Sequence, residues 1–274
     1  MRRKSKSLKR PHAGTGFVKS LDKAMTLLER LGEADSALTM SDLAQRAGLP
    51  LPTAHRLLTT LERRRFVQFD NEQGLWSIGV RAFVVGNAFL PRRNLIRQAL
   101  TIMRDLMEQS GETTNLAVES DGEAVFLAHV ECHDMMRASS RPGSRVALYC
   151  SGVGKALLSA MSEDDVTRIL HERGLQRITP NTIVSPEKMR ADLAESRLRG
   201  YAFDNEEHAP GVRCVAAPVF DESGHVLAAI SLSGPTARIT DDRIPVLGAS
   251  VARAASRITA DLGGEVDERL LAET

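Results

Sequence analysis

Between residues 40 and 65 the chain runs through two short helical periods separated only by Gly48-Leu49-Pro50, and few folds accommodate that spacing. The first period, SDLAQRA at 41–47, has Thr39 or Ser41 as its N-cap and turns Leu43, Ala44 and Ala47 inward. Gly48 suits the position just past a helix end, where the chain takes a left-handed turn. Pro52 suits the first turn of the next helix, PTAHRLLTTLERRR. Ala54, Leu57, Leu58 and Leu61 recur there at i, i+3, i+4 and i+7, which is one buried stripe. Upstream, residues 18–31 predict another helix, capped by Ser20 or Asp22, with Leu21, Met25, Leu28 and Leu31 on one face. Downstream, FVQF at 66–69 and LWSI at 75–78 flank the loop 70–74 and predict a β-hairpin. Three helices followed by a hairpin make a winged helix-turn-helix.

The outward face of the third helix is polar. It carries Pro52, Thr53, His55, Arg56, Thr59, Thr60 and Arg63, with Glu62 as its one acid. A helix fits the major groove of B-DNA, and a helix-turn-helix offers the first half of its second helix to base edges. Arginine binds guanine through two hydrogen bonds, and threonine meets phosphate or a thymine methyl. Arg46 in the preceding helix, and Arg63 to Arg65 at the end of this one, suit phosphate. A three-helix module that binds protein would look similar in outline. The charge partition argues against it: residues 1–65 carry a net +8 and residues 66–274 a net −7. Residues 1–16, with six basic side chains, read as a disordered basic arm that would track phosphates or the minor groove.

Residues 94–110 form a further amphipathic helix ended by Gly111. Beyond it strand patterns at 113–119, 124–130, 145–148, 201–204, 212–220 and 226–233 mix with helical ones at 153–161, 163–172, 187–199 and 241–262. The hairpin-like pairing of 212–220 with 226–233 points to an antiparallel sheet flanked by helices. The chain is therefore α+β with two domains: the winged helix-turn-helix at 17–79, linker helices at 80–110, and a second domain at 111–268.

Several classes are disfavoured. Three cysteines without CxxC spacing suggest neither a disulfide framework nor a cysteine zinc site. No apolar run approaches a membrane span, and MRRKSKSLKRPH lacks the apolar segment of a secretory signal, so the cytoplasm is expected. No GxSxG, HExxH or nucleophile–base pairing appears, so no enzyme and no cofactor are expected. Asp204-Asn205-Glu206-Glu207-His208, with Cys214 and His133, contains metal-ligand types, but at no diagnostic spacing, and no metal is assigned.

One loop stands out. Cys150-Ser151-Gly152-Val153-Gly154-Lys155 lies between a strand and an apolar helix. With Ser151 as cap, the free N–H groups of Gly152 and Val153 sit at the positive end of the helix dipole, where a carboxylate or phosphate binds. The glycines equally fit a plain tight turn. Ala156 and Tyr149 exclude a P-loop, and Leu157 excludes GxGxxG. Ser231 and Ser233 point to one face of a strand and need partners, which a polar ligand, cross-strand bonds or solvent would supply.

From about residue 17 to 263 the sequence resembles the IclR family of bacterial transcriptional regulators. The resemblance rests on GLPLPTAHRLLTTL, WSIGVRAFVVGNAFL, SGETTNLAV, SGVGKALL, GYAFDNEEHAPGVRCVAAPVFDE and AAISLSGPTARITDDR. It is greatest to the glyoxylate-sensing members. It implies a GAF-like effector domain, dimers pairing into tetramers on palindromic double-stranded DNA, and repression more readily than activation. It also implies that a small 2-oxo acid such as glyoxylate is held by Gly152, Val153, Asp204, Cys214, Ser231 and Ser233, inside a wall of Met135, Ala138, Val146 and Val212. A regulator sensing an aromatic or sugar acid is the rival within the family, and a GAF-like enzyme with a DNA-targeting domain the rival outside it. Ala138, Val153, Tyr149 and Cys150 depart from the residues those members carry, which reshapes the wall.

Overall fold

The computed structural model describes residues 18–34, 36–87, 95–135 and 140–265, in two compact units, Met1–Arg92 and Arg93–Thr274. The basic arm lies outside the described residues.

The first unit contains α1 (Lys19–Gly32), β1 (Leu38–Thr39), α2 (Met40–Arg46), α3 (Leu51–Arg63), β2 (Val67–Asp70), β3 (Leu75–Ile78) and α4 (Val80–Asn87). Its three strands are antiparallel in the order β1-β3-β2. The core consists of Leu27, Leu31, Leu38, Leu43, Ala44, Ala54, Leu58, Val67 and Trp76. Trp76 closes it from the sheet side, with its ring centroid 4.8 Å from that of Phe69. Thr39 is the cap of α2: its Oγ1 accepts the Asp42 N–H and donates to the Asp42 carboxylate.

Three local expectations need correction. Helix α1 begins with Val18 as N-cap and no side-chain cap, so Ser20 and Asp22 lie inside its first turn. Its buried residues are Leu27 and Leu31, whereas Leu21 and Met25 are exposed, because the helix meets α2, α3 and β3 through its C-terminal half. Finally, α3 stops at Arg63. Arg65 adopts φ 61°, and its carbonyl lies against the Cα of Gly79, where a Cβ would not fit. That close approach turns the chain out of the helix and into the hairpin.

The second unit contains α5 (Leu95–Ser110), β4 (Thr113–Ser120), β5 (Glu123–Val130), β6 (Arg145–Ala147), α6 (Gly152–Ser159), α7 (Glu163–Arg173), α8 (Pro186–Arg199), β7 (Ala202–Asn205), β8 (Val212–Phe220), β9 (Val226–Pro235) and α9 (Ile244–Asp261). Six antiparallel strands run in the order β6-β5-β4-β9-β8-β7. Period-two alternation gives the sheet two different faces. Val215, Ala217, Val219, Ile230 and Leu232 meet α5 and α9. On the other face Ala117, Ala202, Ala216 and Ala229 form a low-relief floor beneath α6, α7 and α8. Small side chains there let the short helix α6 approach the sheet closely. Helix α9 starts at Ile244 rather than near residue 241, since Pro245 favours the first helical turn.

Candidate functional site

Helix α3 presents Pro52, His55, Arg56, Thr60 and Arg63 to solvent, with Thr53 and Thr59 half-buried beside them. This stripe lies opposite the buried Ala54 and Leu58. The hydroxyls of Thr59 and Thr60 donate back to the carbonyls of His55 and Arg56, at 2.9 and 2.8 Å. Each therefore offers its methyl and oxygen lone pairs outward, not a free proton. Arg46 is exposed at the end of α2. Leu51, half exposed at the start of α3, was not anticipated; an apolar side chain there suits a thymine methyl. The hairpin tip carries Asp70 and Glu72, and Asp70 Oδ1 accepts the N–H groups of Glu72 and Gln73. Among the described residues of this unit, the basic groups are concentrated on the helices and not at that tip.

In the second unit, strand register gathers residues scattered over thirty positions. Asp204 pairs with Cys214, and Cys214 with Ser233, so three polar side chains form one row across β7, β8 and β9. Ser231 lies two residues along on the same face, opposite Asn115 of β4. The start of α6 descends onto this row. Gly152 sits where a Cβ would strike the Cys214 sulfur, and Gly154 where one would strike the Leu148 backbone. Gly152 thus serves close packing of helix on strand, and Gly154 close packing of α6 on the turn that precedes it. Ser151 caps α6 by accepting the Gly154 N–H at 3.2 Å. The Gly152 and Val153 N–H groups precede the first intrahelical bonds of α6.

Gly152, Val153, Asp204, Cys214, Ser231 and Ser233 all line one cavity of about 330 Å³, together with Val146 and Val212. Met135 does not join the wall. It lies beyond the end of β5 with its side chain 97% exposed, so it has left the sheet before it can reach the cavity. Ala138 lies outside the described residues. The cavity also takes in Asn115, Phe126, Ser140 and His208, which sequence reasoning missed.

Residues 87–260 match the family model "Bacterial transcriptional regulator IclR C-terminal", and residues 20–71 match "IclR helix-turn-helix domain". The chain belongs to the IclR family. It is 48% identical to the transcriptional repressor IclR of Escherichia coli (strain K12), over 91% of this chain and 92% of that protein. It is 39% identical to the HTH-type transcriptional repressor AllR of the same strain, over 90% and 91%. An IclR homolog from Microbacterium hydrocarbonoxydans, solved in complex with 4-hydroxybenzoate, superposes with a TM-score of 0.78 at 26% identity, covering 89% of this chain and 98% of that one. The matched domains make this chain a DNA-binding transcriptional regulator and not an enzyme.

The electrostatics of this IclR-family regulator centre on buried carboxyls. Burial pushes Asp204 up to about 7, with the Glu207 carboxylate adding to the rise and Lys155 opposing it. Asp204 Oδ1 accepts the Glu207 N–H at 2.7 Å. Lys155, fully buried, reaches Glu207 Oε1 at 2.5 Å and Asp192 Oδ2 at 3.1 Å. Lys155 is thus paired with two carboxylates, and the Glu207 charge beside Asp204 favours a proton on Asp204. Burial also pushes the Cys214 and Cys150 thiols up to about 12, so neither is a thiolate nucleophile at neutral pH. Burial holds His208 below its usual range and hence uncharged. Lys155 was legible in one respect: a lysine within the apolar run GVGKALL must find a buried partner. Its partner Glu207 was not legible, because it lies 52 residues away. Among the described residues, no group of three or more His, Cys, Asp or Glu is placed to hold a metal ion, and no helix is long and apolar enough to cross a membrane.

Proposed function

We propose that this chain is a cytoplasmic repressor whose binding to a palindromic operator is modulated by a small 2-oxo acid, with glyoxylate as the leading candidate. Support comes from one observation: the cavity near α6 offers hydrogen-bond donors on several sides. The Gly152 and Val153 N–H groups face a carboxylate with the helix dipole behind them. The Ser231 and Ser233 hydroxyls, and Asp204 in its protonated form, remain for the carbonyl oxygen. Val146 and Val212 supply the apolar side. A ligand of five heavy atoms has a limited affinity, on the order of micromolar to millimolar, which suits a metabolite sensor.

Homodimers pairing into tetramers place α3 of each subunit in a major groove, with Arg46, Pro52, Thr53, His55, Arg56, Thr59, Thr60 and Arg63 as the contact set. Ligand binding shifts the half-site spacing through the linker helices α4 and α5. Residues 1–16 act as a basic arm, residues 17–79 as the DNA-binding domain, 80–110 as the linker and 111–268 as the effector domain.

A second reading is favoured by the cavity's volume, which also admits a single-ring aromatic acid. Phe126 is the one aromatic carbocycle among the described lining residues, and the polar row suits a smaller ligand better. The deciding experiment is a gel shift of the chain's own upstream region with glyoxylate or 4-hydroxybenzoate added. A change in DNA affinity with glyoxylate alone supports the 2-oxo acid; a change with 4-hydroxybenzoate alone supports the aromatic one.

A further inference from the structure

Asn115 is 2% exposed at the centre of the sheet, on β4 between β5 and β9. A primary amide has two N–H donors and one acceptor oxygen, and all are engaged here. Nδ2 donates to Ser233 Oγ at 3.0 Å and to Ser231 Oγ at 3.4 Å, while Oδ1 accepts the Ser140 hydroxyl at 2.8 Å. Each of the two strand serines therefore spends a lone pair on Asn115, and its proton must find another acceptor. Both serines, and Asn115 itself, line the cavity beside α6. The Ser231 proton has the Cys214 sulfur within reach, but a carbonyl oxygen is a better acceptor than a thiol.

We propose that Asn115 is the residue that sets the chemical selectivity of this cavity: by fixing Ser231 and Ser233 as donors, it admits a 2-oxo acid and disfavours the matching 2-hydroxy acid. The inference rests on the ligand reading given above and deepens it. With the α6 N–H groups and protonated Asp204 also donating, the donors outnumber the acceptors left over, chiefly one lone pair on each serine and the Cys214 sulfur. A ligand carbonyl satisfies those donors. A ligand hydroxyl brings a further proton into the same space, and a buried donor left without a partner weakens binding. Asn115 acts through the serines, as a positioning residue, and adds to the donors that the α6 N–H groups and Asp204 already supply.

The test is a calorimetric titration of the full-length protein with glyoxylate and with glycolate, two-carbon acids that differ in a carbonyl against a hydroxyl. The wild type is expected to bind glyoxylate more tightly. In Asn115→Asp the side chain accepts the serine protons, and in Asn115→Ala nothing orients them. In both variants the ratio of glyoxylate to glycolate affinity is expected to fall by about tenfold. Hydration of glyoxylate in solution scales its affinity equally for every variant and drops out of that comparison. A variant that weakens both acids by the same factor, or a wild type that binds glycolate as tightly as the unhydrated fraction of glyoxylate, overturns the proposal. A wild type that binds neither acid overturns the ligand reading instead.

Discussion

Lys155 Nζ lies 2.5 Å from Glu207 Oε1, and both side chains are buried. The pair joins the first turn of α6 to the segment after β7, and the Glu207 N–H in turn anchors the Asp204 carboxyl. Removing one member of a buried ion pair leaves an uncompensated charge and costs about 3–5 kcal/mol. Lys155→Met is therefore expected to lower the unfolding free energy by roughly that amount in urea titrations. The double variant Lys155→Met, Glu207→Gln should recover part of the loss. A single variant as stable as the wild type would show that the pair contributes nothing net.

The ligand contacts make a direct prediction. Glyoxylate at about a hundred times its dissociation constant should stabilise the wild type by roughly 2.7 kcal/mol, read as a rise in Tm. Ser231→Ala and Asp204→Ala are each expected to abolish the rise. Retention of the full shift in both variants would sink the assignment of this cavity.

Binding should also depend on pH. Asp204 titrates at about 7 in the free protein. An anionic ligand beside it favours the protonated form, so binding takes up a proton once the pH exceeds that value. Affinity is then expected to be flat below about pH 7 and to fall up to tenfold per unit above it. Asn in place of Asp204 keeps the donor and carries no charge. Titrations of Asp204→Asn across the same range should show no decline, and a decline equal to that of the wild type would point to another group.

On DNA, Arg56 and Arg46 should behave differently. Arg56 stands in the outward stripe of the recognition helix, so Arg56→Ala should lose about 1–3 kcal/mol on the operator and relax the preference at one base position. Arg46→Ala should weaken operator and random duplex alike, and reduce the salt slope by about one. Fluorescence anisotropy against salt concentration separates the two; equal loss of specificity in both variants would contradict the distinction.

Two helical glycines test the packing argument. A methyl group at Gly154 meets the Leu148 backbone, and Gly154→Ala should destabilise by about 1–3 kcal/mol. Gly86 in α4 has open space around it, and Gly86→Ala should stabilise by roughly 0.5–1 kcal/mol. Thermal melts that place the two changes on the same side would refute the close-approach account of α6.

The sequence by itself determined the elements governed by local chemistry. Thr39, Gly48 and Pro52 mark the ends of α2 and the start of α3, because caps, left-handed turns and proline act over a few residues. The stripe Ala54, Leu57, Leu58 and Leu61 identified the face of α3 turned inward, and strand alternation placed Ser231 and Ser233 side by side. Where partners lie far apart in the chain, pattern fell short. Leu21 and Met25 share helical spacing with Leu31, yet they are exposed, since spacing says which residues share a face and not which part of a face is covered. Met135 likewise leaves the wall it was expected to join. Only the tertiary structure set Asp204, Cys214 and Ser233 in one cross-strand row, gave Lys155 its buried partner Glu207, and brought Asn115 to two serine hydroxyls more than a hundred residues away. Burial and register arise from the packed sheet as a whole, and with them come the raised pKa of Asp204 and the polarity of the cavity.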